Sequence, residues 1–268
     1  MLLPTLPRWR IDDRQREIVE LVMQQGEVTT HSLCERFDVS EMTIRRDLRE
    51  LDKNGMLRRV FGGAVSNLGR SYEPPSQIRS SRNMDAKQAI GRRAVDMIYD
   101  GDSIAFDVGT TTIEIVRALK NRQNLTIITS SLPIANEVVS RFSLDSQIRL
   151  IIAGGIVRPR EFSMIGHIPQ GVYDDLHVDK AFVGIGGVSL EDGLTEYNLE
   201  GAQVKKSLIA SADEVIVVVD SSKLGRTTFA SVAPLTKVDT LITDARAPSD
   251  FVDVLRERGI QVLLTDIQ

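Results

Sequence analysis

Apolar positions in the first part of the chain recur at helical spacing. Ile18, Leu21 and Val22 share one face of a segment from about Asp13 to Gln25, and Gly26 ends it as a helix-end glycine does. A second helix begins near Thr30 with Leu33 and Phe37 on one face. Asp38-Val39-Ser40 is a tight turn. Ser40 is a good N-cap for a third helix running to about Asn54, before Gly55. Leu57 to Val60, Gly62-Gly63 and Ala64-Val65 then read as strand, turn and strand, with both glycines free to take the positive φ of a hairpin turn. From 66 to 76 the periodicity fails, and Ser, Asn, Gly and Pro-Pro mark a linker.

The remainder alternates in type. A helical pattern (Ala86, Ile90, Ala94, Met97, Ile98) stops at Gly101. Apolar runs follow: S-I-A-F-D-V, L-T-I-I-T, I-R-L-I-I-A, K-A-F-V-G-I, E-V-I-V-V-V-D, T-L-I-T and Q-V-L-L-T. Helix-like segments lie among them at 111–120, 133–141, 199–211 and 249–258. Strands apolar throughout and alternating with helices predict an α/β domain with a mostly parallel sheet. The expected organisation is a small helical domain with a hairpin at 1–66, a linker at 67–76 and an α/β domain at 77–268.

Composition narrows the class. The 268 residues are 42% apolar and 26% charged, which excludes wholesale disorder. No run of about 18 apolar residues is present, so no membrane span is expected. The first ten residues are too short and proline-broken for a signal peptide. The single cysteine, Cys34, allows no intrachain disulfide and reads as a packing residue in a protein of the reducing cytoplasm. The net charge is −4, yet residues 45–70 carry seven Lys or Arg against three Asp or Glu. A local basic patch on an acidic chain points to a polyanion partner.

That patch lies on the third helix. At about 100° per residue, Ile44, Leu48 and Leu51 fall on one face. Met42, Arg46, Arg49 and Lys53 fall on the opposite face, with Arg45 at its edge. A charged face alone is more often solvated than bound. Here it follows two short helices and a three-residue turn and precedes a Gly-Gly hairpin, the order of a winged helix-turn-helix. Its arginines can meet guanine edges or phosphates, Thr43 a phosphate or thymine methyl, and Arg58 and Arg59 on the hairpin the neighbouring backbone or minor groove. The stretch from Arg14 through V-S-E-M-T-I-R-R-D-L to R-R-V-F-G-G-A resembles the DNA-binding domain of the DeoR family of bacterial transcription regulators. The resemblance implies that Ser40, Thr43, Arg45, Arg46 and Arg49 contact DNA.

The second half places polar turns after its apolar runs: Asp107-Val108-Gly109-Thr110-Thr111-Thr112, Thr129-Ser130-Ser131, Ala153-Gly154-Gly155 with Arg158, and Asp220-Ser221-Ser222-Lys223. In open α/β sheets ligands bind outside the carboxyl ends of the strands. Amide N–H groups, hydroxyls, Arg158, Lys223 and a carboxylate such as Glu200 suit a phosphorylated sugar or polyol. Gly184-Ile185-Gly186-Gly187 is no dinucleotide fingerprint, since Ser189 holds the third glycine position, and no Walker-type motif is present. His31, His167 and His177 lack metal-ligand spacing.

D-V-G-T-T, A-G-G-I-V-R, A-F-V-G, D-G-L-T-E and D-S-S-K occur in the order of the DeoR-type C-terminal sensor, so the resemblance runs from about Asp12 to the end. It implies a fold like ribose-5-phosphate isomerase and an effector phosphate on the turn Gly109–Thr112. It also implies that Glu200 and Lys223 match the isomerase's carboxylate base and pocket lysine. Many relatives carry an aspartate where this chain has Gly186, which argues against retained catalysis. The expected protein is a regulator, a repressor of a sugar or polyol operon released from double-stranded DNA by a phosphorylated effector, acting as a homodimer or homotetramer without cofactor, metal or catalytic residue. Its rivals are an isomerase-like enzyme with an appended DNA-binding domain and an architectural nucleic-acid binder.

Overall fold

Helix α1 (Asp13–Gln25), strand β1 (Glu27–Thr29), α2 (Thr30–Phe37), α3 (Glu41–Lys53), β2 (Arg58–Val60) and β3 (Gly63–Val65) make up the first part of the chain. The computed structural model describes residues 12–25, 27–66, 69–74, 76–142, 147–159 and 161–267. They form two compact units, Met1–Gly69 and Arg70–Gln268. In the first, Ile18, Leu21, Val22, Leu33, Ile44, Leu48, Leu51, Leu57 and Ala64 build one core. Each helix supplies the face its periodicity predicts.

Two details differ from the sequence reading. β1 pairs antiparallel with β3, which pairs with β2, so the wing has three strands. A three-residue strand is too short to show a period of two. The two glycines also have different tasks. Gly62 takes a φ of +82°. Gly63 lies inside β3, where an added Cβ would sit 2.0 Å from the Val28 carbonyl oxygen; it permits close approach of two backbones.

The second unit runs through α4 (Ser76–Ser81), α5 (Met84–Val95), β4 (Ser103–Phe106), α6 (Thr112–Ala118), β5 (Thr126–Thr129), α7 (Leu132–Arg141), β6 (Arg149–Ile152), β7 (Ile156–Arg158), β8 (Ser163–Ile165) and α8 (His167–Asp174). It continues with β9 (Val178–Val183), β10 (Gly187–Ser189), β11 (Gly193–Glu196), α9 (Leu199–Ala210), β12 (Ala212–Val218), β13 (Ala230–Ala233), β14 (Thr240–Asp244), α10 (Ser249–Glu257) and β15 (Gln261–Thr265). Seven strands form one sheet in the order β15-β14-β12-β9-β4-β5-β6, every pair parallel. A three-stranded antiparallel sheet, β10-β11-β13, and the β7-β8 hairpin accompany it.

Alternation along each strand sends side chains to opposite faces. Ile104, Phe106, Ile127, Phe182, Ile216 and Ile242 pack with Ile90, Ile115, Val116, Ile134 and Val138 of α5, α6 and α7. Ala105, Ile128, Ala181, Val183, Val215 and Leu241 pack with Tyr173, Leu208, Val252 and Leu255 of α8, α9 and α10. Both faces are covered, which is why the strands read as continuous apolar runs. The winding runs outward from β4 through β5 to β6, and outward from β9 through β12 and β14 to β15. The adjacent strands β4 and β9 are therefore the topological switch point, the place where open α/β sheets bind ligands outside the strands' carboxyl ends.

Candidate functional site

The predicted DNA-contacting residues belong to α3 and the wing. Ser40 caps α3: its Oγ accepts from the Thr43 backbone N–H at 3.3 Å and shares a hydrogen bond with Thr43 Oγ1 at 3.0 Å. Ile44, Leu48 and Leu51 are buried, and Arg46 and Arg49 are exposed. Arg45 is exposed too, but its guanidinium is engaged by Glu41 one turn back, at 2.9 and 2.6 Å. Arg58 and Arg59 lie on the exposed strand β2. The Arg59 backbone N–H donates to Asp52 Oδ1 at 3.2 Å, fastening the wing to the end of α3.

Two groups here, Asp47 and Phe61, escaped the sequence reading, while Met42 lies on the outward face it was assigned. Asp47 is buried on the apolar face of α3 and accepts from Arg14 Nε at 2.7 Å. Met42 and, at the wing's tip, Phe61 are large apolar side chains in full view of solvent, 80% and 108% exposed.

In the second unit the switch point is held by Asp107, which follows β4. Its Oδ2 accepts from the Gly184 backbone N–H at 3.1 Å, and Lys205 Nζ of α9 donates to the same oxygen. Lys205 also donates to the Gly184 carbonyl at 2.8 Å and lies 3.3 Å from Glu196 Oε2. All three side chains are buried. The trio holds one more acid than base, and burial keeps the Asp107 carboxyl above its ordinary range even with Lys205 against it. Lys205 stays charged because Asp107 and Glu196 outweigh the burial that opposes its charge.

Three consecutive residues at the junction of β11 and α9 tie the crevice together. Glu196 faces Lys205. Tyr197 Oη lies 3.2 Å from Lys223 Nζ, and its ring lies beneath that ammonium at 5.5 Å. Asn198 caps α9 through the Gly201 N–H at 2.7 Å and donates Nδ2 to Glu73 at 3.1 Å. The sequence offered one signal for Lys205. It recurs three residues after Ala202 and three before Leu208, a charge on an otherwise apolar helix face. Glu73 and Asn198 gave none, since their meeting is long-range.

Several predicted effector residues stand elsewhere than expected. Thr112 is fully buried and its hydroxyl donates to the Gly109 carbonyl at 3.0 Å, so it closes its own turn. Helix α6 is only seven residues long and Thr111 makes no side-chain cap bond, so little dipole gathers there. Ser131 is buried as the N-cap of α7, accepting from the Ile134 N–H at 3.3 Å. Ser130 is fully buried. Glu200 is exposed in the first turn of α9; the carboxylate beside the lysine is Glu196. Gly109 and Thr110 remain half-buried at the mouth. Gly154 and Gly155 both take positive φ, +67° and +118°. Arg158, at the end of β7, is held by Glu73 at 2.6 Å. Glu73 and Pro74, expected in the linker, are thus hydrogen-bonded within the second unit, Pro74 through its carbonyl to Arg79 Nε at 2.9 Å.

An added Cβ at Gly186 would lie 3.1 Å from Glu196 Oε1 and 3.0 Å from the Tyr197 ring. An aspartate there would stand against a carboxylate already present. The turn after β12 is fixed from below. Asp244 Oδ2 accepts from the Ser221 N–H at 2.7 Å, and Arg246 Nε donates to Oδ1 at 2.7 Å. Burial opposes the Asp244 charge, but Arg246 and Ser221 outweigh it and hold the carboxyl below its ordinary range. A separate cleft of about 520 Å³ lies along Leu190–Gly193, Ser231–Thr236 and Arg258 and is lined by none of the predicted effector residues. Among the described residues no helix is long and apolar enough to cross a membrane, and no three His, Cys, Asp or Glu gather as metal ligands.

A winged helix-turn-helix followed in the chain by a doubly covered α/β sheet with linked buried polar side chains at its switch point defines a DNA-binding transcription regulator with a sensor domain. Residues 14–69 match the DeoR-like helix-turn-helix domain and residues 82–245 the DeoR C-terminal sensor domain. The chain belongs to the DeoR family. It is 34% identical over 251 residues to the glycerol-3-phosphate regulon repressor of Escherichia coli, covering 94% of this chain and 98% of that one. It is 34% identical over 234 residues to the lactose phosphotransferase system repressor of Staphylococcus epidermidis, covering 87% and 91%. The structure of ribose 5-phosphate isomerase A from Methanocaldococcus jannaschii is similar over 53% of this chain and 55% of that one, at 24% identity and a TM-score of 0.38.

Proposed function

We propose that this chain represses a sugar or polyol operon by placing α3 in the major groove of operator DNA, and that a phosphorylated sugar or polyol in the crevice of the second unit releases it. In this reading Arg46 and Arg49 read bases or hold phosphates, with Ser40, Thr43 and Arg45 at the helix start and Arg58 and Arg59 of the wing on the flanking backbone. One recognition helix reads few base pairs, so two or four copies of the chain act together on repeated half-sites, in the cytoplasm where DNA and phosphorylated metabolites meet.

The observation that carries the effector half is the linked set Asp107–Lys205–Glu196, Tyr197–Lys223 and Asn198–Glu73–Arg158 around the switch point. In this reading these cationic groups, with half-buried Gly109 and Thr110 of the turn after β4, face the effector at the strand ends. Cations and amide N–H groups suit phosphate, and carboxylates suit hydroxyls. The names of the two relatives support a phosphorylated polyol such as glycerol 3-phosphate, or a phosphorylated sugar.

The isomerase reading draws on the buried acid–base trio, whose polar atoms are spent on one another. The deciding experiment titrates operator complexes with phosphorylated sugars and polyols and assays the same compounds for turnover. Release without turnover supports the sensor. Turnover supports the enzyme, and no response to any of them removes the phosphorylated-effector reading.

A further inference from the structure

Glu73 lies four residues after the first unit ends, and three donors, one nearby in sequence and two distant, converge on its carboxylate. Its Oε1 is 3.0 Å from Arg79 Nη2 of α4. Its Oε2 accepts from Arg158 Nη2 at 2.6 Å and from Asn198 Nδ2 at 3.1 Å. Arg79 is paired with Glu161 as well. The Glu73 side chain is 12% exposed and that of Arg79 is 18% exposed. Burial opposes the Arg79 charge, but Glu73 and Glu161 outweigh it and keep the guanidinium charged.

Two guanidinium groups and a side-chain amide, drawn from three elements around one carboxylate, make an oxyanion site. Such a set fits a phosphate monoester at least as well, since it brings up to two charges and three acceptor oxygens where Glu73 brings one charge and two oxygens. Arg158, a residue the effector reading uses, is thus occupied by a group from the chain itself.

We infer that Glu73 is an internal stand-in for the effector's anionic group: phosphate and Glu73 compete for Arg79, Arg158 and Asn198, and binding of the phosphate frees residues 70–74 from the second unit. The inference rests on the sugar-phosphate reading above and names the site where the phosphate is gripped. A tethered competitor lowers apparent affinity by the fraction of time it leaves the site open. Its release also lengthens the free tether after Gly69 by five residues, about 16 Å of chain when extended. A change in tether reach is a physical route from the crevice to the DNA-binding unit.

The test uses the full chain, with inorganic phosphate and glycerol 3-phosphate as probes and glycerol as control. Glu73→Gln keeps the side-chain shape and removes its charge. Calorimetric titration should show phosphate binding at least tenfold tighter in Glu73→Gln than in the wild type, and Arg158→Gln should weaken it in both backgrounds. Hydrogen–deuterium exchange across 70–74 should be slow in the unliganded wild type. It should be faster with phosphate present, and fast in Glu73→Gln without it. Glu73→Asp, which keeps the charge but withdraws it by one methylene, should shift both readouts the same way and serves if the glutamine variant does not fold.

Unchanged phosphate affinity on removing the Glu73 charge overturns the inference, as does phosphate binding that leaves exchange at 70–74 unaltered. If binding then still depends on Lys223 and Thr110, the sensor reading stands without it. Failure of Glu73→Gln to bind either phosphorylated probe overturns the inference, and the sensor reading then rests on the wider effector screen.

Discussion

Lys205 Nζ and the Asp107 carboxylate, ninety-eight positions apart in sequence, form a buried ion pair where the two halves of the sheet meet. The pair joins α9 to the end of β4, with Glu196 and the Gly184 carbonyl as further partners for the ammonium. Removing one partner of such a pair leaves an uncompensated buried charge, at a cost of about 3–5 kcal/mol. Lys205→Met should lower the urea midpoint of the sensor transition accordingly. Lys206→Met, at the exposed neighbouring position, should change the unfolding free energy by less than about 0.5 kcal/mol. Equal effects would show that the trio contributes nothing particular.

The arginines of α3 should separate in a DNA titration at fixed salt. Arg46→Ala should weaken operator binding by about 1–3 kcal/mol if it reads a base. Arg45→Ala should cost less, because Glu41 already holds that guanidinium at 2.6 Å and must release it before DNA can take it. Unchanged affinity in Arg46→Ala would show that this face of the helix does not meet the groove.

Lys87 gives a pH prediction. Burial pushes it down to about 8 from an ordinary 10.5, while it donates to the Arg79 and Arg82 carbonyls. Between those two values the unfolded chain holds more protons than the folded one, so stability rises with pH through this window. Below pH 8 the charged buried ammonium costs about 3 kcal/mol relative to the unfolded chain. Urea unfolding at steps from pH 7 to 10 should show this rise in the wild type and a flatter profile in Lys87→Met. Parallel profiles would place the titration elsewhere.

In the wing, the two glycines should differ under the same substitution. Gly62→Ala places a side chain at positive φ, a strain of about 1–2 kcal/mol. Gly63→Ala drives a Cβ into the Val28 carbonyl and must separate β3 from β1. Operator affinity and the thermal midpoint of the first unit should fall much further for Gly63→Ala.

Lys223→Ala should weaken effector binding by roughly 1.5–3 kcal/mol, the worth of a hydrogen bond to a charged group, and Thr110→Ala by about 0.5–1.5 kcal/mol, the worth of one between neutral groups. Operator affinity without effector should stay near wild type in both. A titration showing equal affinity for a phosphorylated compound and its free sugar would remove the phosphate from this crevice.

The helices of the first unit were legible because each repeats a period, and the strands of the main sheet because burial on both faces makes them continuous apolar runs. Ser40 could be read as a cap from its place alone. What stayed hidden was short or long-range. β1 spans three residues, and the β7-β8 hairpin and the β10-β11-β13 sheet are made of three- and four-residue strands. Thr112 and Ser131 have the right chemistry for a ligand but spend it locally, on the Gly109 carbonyl and the Ile134 N–H, which a list of polar residues cannot reveal. Glu196 and Glu200 are both acids beside the same loop. Only the fold distinguishes the one facing Lys205 from the one facing water.

The order of elements along the chain has a consequence during synthesis. The three-helix unit and its wing are complete at Val65, while the last strand of the main sheet ends at Thr265, some 200 residues later. At about 5–20 residues per second the ribosome needs roughly 10–40 s to cover that distance. Every new molecule therefore holds a finished DNA-reading unit well before its sensor can close around a ligand. In that interval the nascent chain carries the DNA-reading unit alone, without the sensor that would answer an effector.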